Sequence, residues 1–178
     1  VVYAQRNELM ASEDVQDTVR GMREEVIGGL VDQFMPPESV EEQWKVPELE
    51  EAVLRDFNVQ ANLKAWLEED DTRGPKAAQA RVIELVEKAY ADKEALVGAT
   101  DLRRIERTLM LQMVDTHWRE HLAAMDYMRQ GIFLRSYAQK NPKQEYKREA
   151  FELFQAMLER IKRDTVTLLA RMQVRSEA

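Results

Sequence analysis

Trp118 to Tyr146 reads WREHLAAMDYMRQGIFLRSYAQKNPKQEY, and this stretch decides the fold. It joins two long amphipathic runs through one compact break. Upstream, Ile105, Leu109, Met113, His117, His121, Met125 and Met128 recur at three- and four-residue steps. Downstream, Tyr146, Ala150, Leu153, Phe154, Met157, Leu158, Ile161, Thr165, Leu168, Leu169 and Met172 do the same. Steps of that size place side chains on one face of an α-helix. Two such helices with a short connector make an antiparallel helical hairpin. The first arm is expected from about Asp101 to Gln130 and the second from Pro142 to about Val174, roughly 45 and 50 Å at 1.5 Å per residue. The connector, about 131–141, holds Ile132, Phe133, Leu134 and Tyr137 beside Arg135 and Lys140. Turning a chain needs no apolar residues. These side chains therefore either tuck into a core or face a partner.

Outside that stretch, composition sets the class. The chain has 178 residues, enough for one or two modest domains. Its 44% hydrophobic content permits a core, and its 33% charged content implies much exposed surface. Few breakers in a chain rich in Leu, Ala, Glu and Arg favour an all-α fold. The absence of cysteine excludes disulfides and thiolate metal sites, which fits a reducing compartment. No apolar run approaches the roughly 18 residues of a membrane span, and no basic-then-apolar leader is legible. The chain opens on Val1-Val2-Tyr3 without an initiator Met and reads as a piece of something longer.

The net charge of −7 is unevenly placed. Residues 38–73 hold 11 acids and 4 bases, a local net of −7, and mark a peripheral lobe. Residues 101–178 hold 15 bases and 11 acids, a local net of +4. The basic part can meet anionic lipid headgroups or an acidic partner. The plainer alternative is that both are solvated helix faces.

Along the chain, Val1 to Met10 reads as the tail of a helix. Ser12 offers an N-cap oxygen, with Glu13 and Asp14 in the first turn. Val15, Val19, Met22, Val26, Leu30 and Phe34 form the expected buried stripe of the next helix, which Pro36-Pro37 ends. Gly28-Gly29 should weaken its last turns. Ser39 and Glu42 have the spacing of a capping box. Pro47 can begin a short helix with Leu49, Val53, Leu54 and Phe57 on its apolar face. Asn62 offers a cap for another, carrying Leu63, Trp66 and Leu67. Trp44, Phe57 and Trp66 are the expected core of this lobe. Pro75 can start a further helix, with Val82, Ile83, Val86, Ala89, Tyr90 and Leu96 as candidates for burial and Gly98 as an interruption.

One motif suggests catalysis. His117-Trp118-Arg119-Glu120-His121 spells H-x-x-E-H. On a helix, His117 and His121 share a face and can hold zinc while Glu120 activates water, which defines a zinc-dependent hydrolase as one alternative. Spacing identifies no third ligand, so the competing reading makes both histidines packing residues. No phosphate-binding loop is present, and this stretch is not expected to bind or hydrolyse ATP. Arg129, Arg135, Lys140, Lys143, Lys147 and Arg148 crowd the connector with Phe133, Tyr137 and Tyr146, a combination that suits single-stranded nucleic acid. The acidic pI of about 5.1 argues against that partner.

Glu120-His121-Leu122, Met125-Asp126, Arg129 to Ile132, Leu134-Arg135, Tyr137 to Lys140 and Pro142 to Tyr146 together resemble the C-terminal helical region of the SecA family, the ATPase motors of bacterial preprotein translocation. YAQRNELM (Tyr3 to Met10) is similar to the end of that family's long scaffold helix, and the acidic Trp-containing middle to its helical wing. The resemblance spans essentially the whole chain and is densest from Trp118 to Phe154. It implies an all-α fold: a scaffold helix begun in residues 1–37, an inserted helical wing at 38–98, and at 99–178 the second part of the scaffold with a two-helix finger.

The implied function is non-catalytic. This part transmits ATP-driven motion from motor domains elsewhere in the parent, which hold ATP and Mg, to a preprotein in the SecYEG channel. Implied partners are those motor domains, the channel and the preprotein, with anionic lipid and self-association as further expectations and no nucleic acid. The implied location is cytoplasmic, peripheral to the inner face of the bacterial plasma membrane. Tyr137 matches the finger's tip tyrosine, and Ile132, Phe133, Leu134 and Arg135 accompany it as polypeptide or channel contacts. Phe133, Ser136 and Asn141 depart from the family's pattern, as does a histidine at position 117. A generic helical adaptor is the remaining alternative.

Overall fold

The computed structural model describes residues 15–135 and 142–174. These form six α-helices and no strand: α1 (Val15–Phe34), α2 (Val46–Phe57), α3 (Leu63–Glu68), α4 (Pro75–Val97), α5 (Ala99–Arg135) and α6 (Pro142–Arg171), with one 3-10 turn at Glu41–Gln43. The fold class is all-α, as the periodicity requires. The expected Ser12 cap and the helix tail before Met10 lie outside the described residues. The chain divides into two compact units. One is built from Arg107–Thr165, and the other from 15–106 and 166–174. Both divisions fall inside a continuous helix, α5 or α6.

In the second unit α1 packs on α4 and α2, and α2 packs on α3. The buried stripe of α1 is Val15, Val19, Met22, Arg23, Ile27, Gly28 and Val31, continued by Met35 beyond the helix. Val26, Leu30 and Phe34, expected within it, are half-buried. Two rows of a helix one residue apart have the same period. Arg23 hid the true row because a charged residue seldom lies in a core. Arg23 is held there by Glu87, whose two carboxylate oxygens accept from Nε and Nη2 at 2.8 and 3.1 Å. Its guanidinium also lies 3.9 Å from the centre of the Tyr90 ring, a cation–π arrangement.

α1 continues through Gly28-Gly29 without a break. Gly28 serves a close approach: a Cβ there would stand 2.9 Å from Nε2 of Gln79 on α4. On α4, Ala78, Val82, Val86 and Tyr90 are buried. Ile83 is half-buried, while Ala89 and Leu96, expected inside, are exposed, Leu96 by 72%. Leu96 lies six residues beyond Tyr90, off the four-residue row that faces α1. Pro75 opens α4, and Gly98 closes it at φ 93, a region that disfavours side chains.

Buried charges recur where α4 meets α5. Glu106 is fully buried. It accepts from the Tyr90 hydroxyl at 2.8 Å and pairs with Arg103, which also reaches Glu94 at 3.0 Å. Burial, with the negative charge of Glu106 beside it, pushes the Tyr90 hydroxyl far above its usual range. The end of α6 returns to this unit. Lys93 Nζ donates to the carbonyls of Leu169 and Ala170 at 2.9 and 2.7 Å, satisfying acceptors that a helix end leaves open. Burial lowers the pKa of Lys93.

The small lobe of α2 and α3 has Leu49, Ala52, Val53, Phe57 and Leu63 as its core. Trp44 and Trp66, expected there with Phe57, are half-buried, and Leu54 is 43% exposed. Trp66 instead forms a platform for Arg73, whose guanidinium lies 4.2 Å from its ring centre. The Ser39–Glu42 capping box does not form. The Ser39 hydroxyl donates to the Pro36 carbonyl and accepts from the Trp44 indole at 3.0 Å, and Gln43 accepts the Val40 N–H at 3.3 Å. Short-range bonds of a serine to nearby backbone compete with capping. Asn62 precedes α3 at φ 49 without a side-chain cap. Glu50 takes that task from α2, accepting the Lys64 N–H at 2.7 Å.

Candidate functional site

Within Arg107–Thr165 the two long helices run antiparallel. His117 meets Asp164 and His121 meets Phe154, so rising positions on α5 meet falling positions on α6. Met110, His117, His121, Met128 and Ile132 supply the buried row of α5. Met157, Ile161 and Thr165 supply that of α6. These are steps of four and seven, the spacing of one helix face. Ile105, Leu109, Met113 and Met125 are half-buried flanks of that row, and so is Leu153 on α6.

α5 runs further than the expected end near Gln130. Gly131, Ile132, Phe133, Leu134 and Arg135 belong to the last turns of α5. A single glycine costs a helix only about 1 kcal/mol, and Ile132 sits four residues after Met128 on the buried row. That leaves 136–141 between the helices, and Tyr137 with it lies outside the described residues. Ile132, expected as a partner contact, is 6% exposed and lies on the buried row of α5. Leu134 is 69% exposed. Sequence reasoning missed Tyr127, which is 81% exposed. The signal was present: Tyr127 and Leu134 are seven residues apart, two turns along one face, off the buried row. Beside Tyr127 an open cleft of about 670 Å³ runs between Ala124, Met128 and Gly131 on α5 and Arg148, Glu152 and Leu153 on α6.

The H-x-x-E-H residues are built into the hairpin differently from one another. His117 is 6% exposed. Its Nε2 lies 2.7 Å from Asp164 Oδ2 and its Nδ1 lies 3.2 Å from Glu120 Oε2. Both ring nitrogens thus face carboxylates. His121 is set between rings, 5.3 Å from Trp118 and 5.9 Å from Phe154 between centres. Burial lowers its pKa, and the positive charge of Arg160 adds to that. Among the described residues no group of three or more His, Cys, Asp or Glu side chains is placed to hold a metal ion. Asp164, the residue that engages His117, was missed. It is 47 positions away, and no local pattern announces such a pairing.

Among the described residues no helix is long and apolar enough to cross a membrane. A family model described as the SecA Wing and Scaffold domain matches residues 1–173. A protein translocase subunit SecA of Nitrosococcus oceani is 53% identical over 178 residues, covering 100% of this chain and 20% of that protein. A protein translocase subunit SecA of Thiobacillus denitrificans is 52% identical over 176 residues, covering 99% of this chain and 19% of that protein. The chain thus spans about a fifth of the length of the curated relatives it matches.

Proposed function

Because this chain belongs to the SecA wing and scaffold family, we propose that it is the non-catalytic scaffold and finger part of a preprotein translocase motor. It couples ATP-driven motion of motor domains elsewhere in the parent chain to movement of a preprotein through the SecYEG channel. ATP and Mg belong to those motor domains. The working location is the cytoplasmic face of the bacterial plasma membrane, held peripherally, with the basic excess of 101–178 available to anionic lipid. The observation that carries this reading is a long antiparallel hairpin that buries Met128 and Ile132 near one end and there leaves Tyr127 and Leu134 exposed. A stiff pair of helices with apolar groups at its end suits pushing or gripping varied polypeptide, because apolar contact demands no particular sequence.

The test is Tyr137→Ala, alone and with Leu134→Ser, in the full-length parent. ATP-dependent transport into membrane vesicles is expected to fall, while basal ATP hydrolysis and melting temperature stay close to the parent's. Unchanged transport in the double variant would remove the finger-end assignment. A large drop in melting temperature would make these side chains structural instead.

A further inference from the structure

The small acidic lobe carries a groove that the transport reading does not use. Trp44, Val46, Pro47 and Leu67 form its apolar floor. Its volume is about 330 Å³, at the low end of the roughly 300–1,000 Å³ of ligand clefts. The Trp44 indole is fixed by its N–H bond to the Ser39 hydroxyl at 3.0 Å. The rim is acidic: Glu41, Glu68 and Asp71 are all exposed. Lys64 and Arg73 also border it. Arg73 is already engaged within the lobe, stacked on Trp66 and paired with Glu69 and Asp70. The surrounding segment, 38–73, has 11 acids against 4 bases.

We infer that this groove docks a cationic polypeptide segment carrying apolar side chains. The floor takes one or two apolar side chains, since removing them from water is favourable in proportion to the area covered. The rim and the lobe's field select lysine or arginine beside them. The same field repels anionic lipid and nucleic acid, so the occupant is a polypeptide. The inference stands independently of the transport role, because an adaptor with this lobe would carry the same groove.

The probe is a fluorescein-labelled decapeptide of alternating Lys and Leu, titrated into the 178-residue chain and followed by anisotropy and by the Trp44 indole N–H resonance. That resonance is identified by its loss in Trp44→Phe. Glu68→Lys with Asp71→Lys, at exposed positions, is checked for unchanged helicity by circular dichroism, and Glu41→Lys serves as a second, independent rim variant. Expected are a shift of the Trp44 resonance, binding that weakens as salt rises, and about tenfold or greater weakening in the double reversal. Peptides with Lys→Glu or Leu→Ser should lose most of the binding. No shift at Trp44, unchanged affinity in both rim variants, or equal binding of the Lys→Glu peptide would each overturn the inference.

Discussion

His117 Nε2 donates to Asp164 Oδ2 at 2.7 Å, tying α5 to α6 across 47 residues of chain. The imidazole is buried, whereas 43% of the Asp164 side chain is exposed. The bond is therefore asymmetric in consequence. Removing the aspartate leaves a buried polar ring short of an acceptor, while removing the histidine leaves a carboxylate that water can serve.

From this asymmetry, Asp164→Ala is expected to destabilise the hairpin by roughly 1–3 kcal/mol. Combined with His117→Leu, its further cost should shrink well below that. Urea unfolding of the two single variants and the double variant gives the coupling directly. Strict additivity would mean that the pair contributes nothing as a pair.

The Arg23–Glu87 pair is more deeply placed, with the Arg23 side chain 3% and the Glu87 side chain 27% exposed. Glu87→Ala leaves a buried guanidinium without its carboxylate. Breaking buried pairs in this way costs roughly 3–5 kcal/mol, and the partial exposure of Glu87 points to the lower end. Arg23→Met with Glu87→Leu should recover most of that loss. A double variant as unstable as Glu87→Ala would show that the ion pair itself, and not the avoidance of a lone charge, sustains the α1–α4 contact.

Met157 and Leu153 separate two roles on α6. Met157 is 2% exposed, so Met157→Ala should cost roughly 2–5 kcal/mol. Leu153 is half-buried and borders the open cleft, so Leu153→Ala should cost clearly less. Melting temperatures of the two variants rank them. The reverse order would place the hairpin's core on the other row.

His121 makes stability depend on pH. Its folded pKa is lowered, first by burial and then by Arg160. The unfolded ring takes its proton near pH ~6.5. Its contribution is therefore fully present above that pH and is lost as pH falls through the lower folded value. Between pH 7.5 and pH 5 the parent chain should lose more melting temperature than His121→Leu, which carries no proton there. Parallel curves would assign the acid sensitivity to other groups.

The sequence by itself determined the helices. Period and breakers are local, so the helical steps from Ile105 to Met128, the stop before Pro36-Pro37, the starts at Pro47 and Pro75, and the break at Gly98 could all be read from neighbouring residues. The residues flanking the connector carried the family in the same way. The tertiary structure alone decided which row of α1 is inside beyond Met22 and that Glu106 lies in the core. Rows one residue apart share a period, and the rows containing Arg23 and Glu106 look wrong until Glu87 and Tyr90 arrive from α4. It also decided that Ile132 packs while Leu134 and Tyr127 face outward, and that His117 turns to Asp164. Each of those outcomes depends on a partner distant in sequence, and residue spacing carries no information about what lies across the gap.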